Sequence, residues 1–224
     1  MAAGDISDNM VSELGLRLED AAGVVFTTAL KLVMLNKAQT QVAQLLHKAY
    51  LSEMEVISAA NLDFSTTYAL SGLSNTLLGG AEGILKVAIS PAAAGFLWAT
   101  EVDLKQVKRL ENTYLAGSAT NPVYYIFANS IYPSNGTAAG TLGKIYYLEA
   151  PSSDAANIMS TTVDPCLNKA LHPLIVTLAE ALLWGVDGKL DRKQATLDIA
   201  FAEIEILNAR YMSAENIGTS GRDT

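Results

Sequence analysis

The sequence predicts an α+β fold, a mainly helical bundle carrying an inserted antiparallel β-rich domain. Three observations predict it. A long apolar-periodic helical pattern comes first (residues 28 to 48). A β-prone middle follows, with Val123-Tyr-Tyr-Ile-Phe-Ala128 at its centre. Two more long helical patterns close the chain, about 165 to 184 and 192 to 211. Helices so far apart in sequence must pack together to bury their stripes, which leaves the β material in an insertion. The division read from these patterns is 1–53 for the first helices and 54–152 for the β-rich insertion with one short helix. The closing helices take 153–211, and 212–224 read as a flexible tail.

Composition supports a folded core. Of 224 residues, 50% are hydrophobic and 17% charged. A chain of this length buries roughly 70% of its unfolded surface and needs no disulfide or metal to hold it. The net charge is −8, from 15 basic and 23 acidic residues. Nucleic-acid affinity comes from Lys and Arg on phosphates, so this balance argues against sequence-specific binding. It suits an acidic surface past which DNA slides without sticking. Cys166 is the single cysteine, which excludes an intrachain disulfide. One cysteine makes a cytosolic setting the expectation, and the opening residues, with no basic stretch followed by an apolar one, do not read as a signal peptide. The longest apolar run, Leu174 to Val186, is too short to span a bilayer and contains Glu180.

The elements follow in order. Val11, Leu14 and Leu18 share a face of a short helix over 8–20, ended by Ala21-Ala-Gly23. Thr27 or Thr28 is placed to cap the next helix by accepting from its first-turn amides. Leu30, Met34, Ala38, Val42 and Leu45 make its stripe, and Leu35 and Leu46 widen it. Between 54 and 102 the helical period is lost, and Ile84–Ile89 and Phe96–Val102 are β-prone. Asp103 with Gln106 resembles a capping box opening a helix through Leu115.

Pro122 forces an extended chain into a strand over 123–128. Asn129-Ser130 offers a tight turn and Ile131-Tyr132 a return strand. With Ile145–Leu148 these read as a β-meander. Asn135-Gly136 reads as a turn within a polar loop. Asp164-Pro165 reads as a cap followed by proline at the start of a helix. Leu171, Leu174, Ile175, Leu178, Ala181 and Leu182 form its stripe. The last helix carries two apolar faces: Ile199, Ala202 and Ile206 on one, Leu197, Phe201, Ile204 and Tyr211 near the other. Two faces suggest burial beyond a single partner, and a neighbouring subunit is one candidate for the second.

No chemical motif stands out. Cys166 and His172, read on one helix, are separated by about 600° of rotation and point apart, so they make neither a metal pair nor a nucleophile and base. His47 reads as a cation near a helix C-terminus. Asp187-Gly-Lys-Leu-Asp191 resembles half a calcium loop but lacks its other acids, and reads as a helix–helix turn. Gly79-Gly-Ala-Glu-Gly83 has no phosphate-loop lysine and reads as a loop. Tyr124, Tyr125, Tyr132, Tyr146 and Tyr147 read as strand packing or an interface, since no basic neighbours adjoin them. Glu180, an acid inside an apolar helix, is the one candidate for a pocket, and it has no visible base or metal partner. No catalytic, cofactor-binding or metal-binding residue is expected.

The order of motifs resembles the head-to-tail adaptor (connector) proteins of tailed bacteriophages. The segment from Phe26 to Ala43 resembles their opening, with Leu35-Asn-Lys-Ala-Gln39 at its centre. Tyr68-Ala-Leu70 is similar to a strand of that family, with Ser71-Gly72 where the family carries proline. Asp103-Leu104, Pro122–Ile126 and Ile145–Pro151 are similar to its β insertion, and His172–Ala181 to its penultimate helix. The resemblance spans about 26 to 211.

It implies a non-enzymatic virion protein assembled in the host cytoplasm. Such proteins form a homo-oligomeric ring, usually dodecameric, between the portal and the tail or nozzle. DNA passes through the ring, and no membrane is involved. The last helix and tail are then expected at the portal or subunit interface. Phe201, Tyr211 and Arg222 are the candidate anchors, as aromatic and arginine residues usually are. The alternatives are another ring protein of the phage neck, for head completion or tail termination, and a soluble ligand-binding protein or enzyme.

Overall fold

The computed structural model describes residues 5–58, 61–63, 67–90, 95–111, 117–118, 120–133, 142–151 and 158–219. The class is α+β, with the strands mostly in antiparallel sheets. The chain forms two compact units: Met1–Met54 with Pro151–Thr224, and Glu55–Ala150.

The first unit is helical: α1 (Asp5–Arg17), α2 (Thr28–Leu45), α3 (His172–Val186) and α4 (Leu190–Thr219). α3 packs against each of the other three. Leu174, Ile175, Ala181 and Leu183 are fully buried along it, and Leu178 and Trp184 nearly so. Each such side chain contributes about 1.5–3 kcal/mol of burial. With the turn before it, α3 is long and apolar enough to cross a membrane, yet half of that stretch is buried within the protein.

Local sequence explains how α2 begins. Thr27 is extended and its hydroxyl accepts from Leu30 N–H, as expected of a cap. The α2 stripe is buried at Met34, Ala38 and Val42, but Leu45 is exposed. The buried face also holds Lys31 and Gln39. Lys31 reaches back to the loop before α2. Its Nζ donates to the Asp20 carbonyl at 2.9 Å and lies 3.6 Å from Asp20 Oδ2. The Asp20 carboxylate accepts from Val24, Val25 and Phe26 N–H. The Phe26 amide above all holds that carboxyl below its usual range; the other two amides and the Lys31 charge add to this, while burial opposes it.

Several boundaries differ from expectation. α3 starts at His172, not near 165, because Asp164 is used elsewhere. Its Oδ1 accepts from Ile6 and Ser7 N–H, so it caps α1, more than 150 residues away. Asn168 caps a short 3-10 turn instead, and Pro173 sits in the first turn of α3. Cys166 therefore lies outside α3. α4 runs on to Thr219, so part of the expected tail is helical.

The second unit holds two sheets. In the first, β4 (Ile84–Ser90) pairs with β5 (Leu97–Trp98) and with β9 (Leu142–Leu148). β9 also pairs with β1 (Glu55–Ile57) and β2 (Leu62–Asp63). The second runs β3 (Tyr68–Ala69), β8 (Ser130–Pro133), β7 (Val123–Phe127), β6 (Thr100–Glu101). β6 lies parallel to β7, the exception to the antiparallel pattern. Val87, Ile89, Ile145 and Tyr147 from one sheet and Tyr124 and Ile131 from the other share one core.

The expected meander is not formed. β7 and β8 make a hairpin, but β9 joins the other sheet, with Val87 opposite Ile145. The hairpin turn is Ala128-Asn129, one residue earlier than expected. Both have positive φ, the pair that a two-residue type I′ turn requires. Asp103 opens a 3-10 helix over Leu104–Glu111 rather than an α-helix, with its Oδ1 accepting from Lys105 N–H. Residues 112–115 of that expected helix, and the turn at Asn135-Gly136, lie outside the described residues.

Candidate interaction surface

The turn between α3 and α4 fixes how α4 leaves the bundle. Gly188 has φ +74°. Lys189 N–H donates to the Trp184 carbonyl at 3.0 Å and Gly188 N–H to that of Gly185 at 3.4 Å. This is a Schellman closure, which satisfies the last carbonyls of α3. Lys189 pairs with Asp187 at 2.7 Å, and Lys189 and Arg192 both lie 4.8 Å from the Trp184 ring. The expected helix–helix turn is formed, with Asp187 in it, while Asp191 already stands in the first turn of α4.

Beyond the turn, α4 buries one face and exposes the opposite one. Ala200 and Ile204 are buried, with Leu197 and Leu207 half-buried beside them. On the far side Ala195, Ile199, Ala202, Ile206 and Ala209 recur at alternating four- and three-residue steps, and all five are exposed. Ile199 is 63% exposed and Ile206 54%. The stripe runs about 21 Å along the helix. That spacing is the seam of a helix that packs on another surface. Asp191, Asp198 and Glu205 follow one flank, each seven residues from the next and each exposed. None of the three enters an ion pair among the described residues.

The three anchor candidates fare differently. Phe201 is exposed and lines a groove of ≈ 430 Å³ with Gln41, Gln44 and Leu45 of α2 and Leu178 and Leu182 of α3. Tyr211 is held within the unit: its ring stacks on His47 at 4.6 Å and meets Tyr50 edge-on at 5.7 Å. Asn208 completes that joint by accepting from His47 N–H and donating to the Leu45 carbonyl. Arg222 lies outside the described residues.

The other candidates resolve into structural roles. The His47 ring is directed away from the expected role at the end of α2: its Nδ1 accepts from Ala49 N–H and caps a short turn. His172 is buried with Nε2 3.0 Å from the Leu167 carbonyl, and Cys166 N–H donates to Gln39 Oε1. Asn36, three residues before Gln39, binds both backbone groups of Met159. The Leu35-Asn-Lys-Ala-Gln39 segment therefore clamps the returning chain at two points. Glu180 lies 3.6 Å from Arg17 and accepts from the Trp184 indole, so it is a partnered acid. Gly79 and Gly80 have positive φ, and a Cβ on Gly83 would overlap the Leu78 carbonyl, which explains the glycines without a ligand. Among the described residues no three His, Cys, Asp or Glu side chains converge.

The strand tyrosines divide. Tyr124 and Tyr147 are buried, and burial with the Glu101 carboxylate pushes the Tyr124 phenol well above its usual range. Tyr125 stacks on Tyr132 at 4.9 Å. Tyr146 meets the exposed Trp98, and here the sequence reading needs correcting. Basic neighbours are present: Lys86 lies over Trp98 and Lys144 over Phe96, at 5.0 and 4.9 Å. Strand pairing brought them together.

No protein-family model matches this chain, and no curated protein matches it.

Proposed function

We propose that this chain is a structural protein of a bacteriophage virion, a head-to-tail adaptor. It forms a homo-oligomeric ring, a dodecamer as in the family it resembles, joining the portal to the tail or nozzle. DNA passes through the ring, and the chain performs no chemistry. The observation that carries this reading is the outward face of α4. A long helix in a well-packed bundle leaves an apolar row without a partner among the described residues, which calls for another chain. The excess of acidic residues suits a wall that duplex DNA passes without adhering. Phe201, exposed at the groove, is the contact residue of the three anchors, while Tyr211 acts by holding α4 against the end of α2.

Electron microscopy with native mass measurement, on the protein alone and mixed with its portal, tests the reading. The expected result is a closed ring whose central hole admits duplex DNA, seated coaxially on the portal. A chain that stays monomeric in both samples overturns it.

A further inference from the structure

We draw no further inference here: the strongest candidate, the exposed aromatic patch on the first β sheet where Lys86 lies over Trp98 and Lys144 over Phe96, carries the exposed acids Glu55 and Asp63 on the same face, and nothing in the structure shows what covers it.

Discussion

α3 and α4 are neighbours joined by one tight turn, both rich in apolar residues, and they are used in opposite ways. α3 is surrounded by α1, α2 and α4, and its apolar residues are buried on nearly every side. α4 meets the bundle along one face, through Ala200, Ile204 and the half-buried Leu197 and Leu207, and its second apolar row is exposed. The difference is one of supply: α3 has neighbours for all its faces within the helical unit, whereas α4 keeps one apolar row exposed, the row on which the proposed assembly rests.

Substitutions that break this contrast should rank by burial. Leu174→Ala empties a fully buried site at the centre of α3. It should cost about 2–5 kcal/mol and lower the melting midpoint by roughly 5–20 °C. Gly188→Ala acts on the joint between the two helices. A Cβ there meets nothing within 4 Å, so the cost is conformational alone, from φ +74°. Thermal unfolding should show a loss of about 1–2 kcal/mol.

Asp20→Asn tests the polar staple that fixes the start of α2. The folded-state carboxyl is held below its ordinary value of 3.8. Its ionised form therefore stabilises the fold above that pH, and the contribution is lost as pH falls through the lower folded value. Melting curves should show the variant less stable at neutral pH, with the gap to wild type closing below pH 3.8. A gap that stays constant in acid would refute the assignment. Ile206→Ser should have the smallest effect on the isolated fold, within about 0.5 kcal/mol. Its effect should appear in assembly, so a large loss of monomer stability would show that the seam is core.

Legibility in the sequence followed range. The Thr27 cap was legible because cap and amide are three residues apart. The two faces of the last helix were legible from their spacing, though spacing could not say which would be exposed. Asp164 misled because Asp-Pro is a local start signal, whereas the orphan amides it meets belong to α1. The sequence pattern places the end of α4 too early, at 211, because the residues beyond it are polar. Polar residues end a helix only when something replaces its hydrogen bonds, and the helix continues to Thr219. β9 was legible as a strand but not as a partner of β4. Backbone pairing is open to any strand, and the choice fell to Ile145 and Tyr147 packing into the core with Val87 and Ile89.

The sequence by itself determined the α+β class, the existence of the long helices and the doubled apolar pattern of α4. These depend on periodicity and short-range hydrogen bonds, which the chain carries locally. Only the tertiary structure decided that Lys31 is buried on Asp20, that Tyr211 is fastened to His47, and that Ile199 and Ile206 remain exposed. Each depends on which distant surfaces meet, and a surface can be called free only once every other element has taken its place.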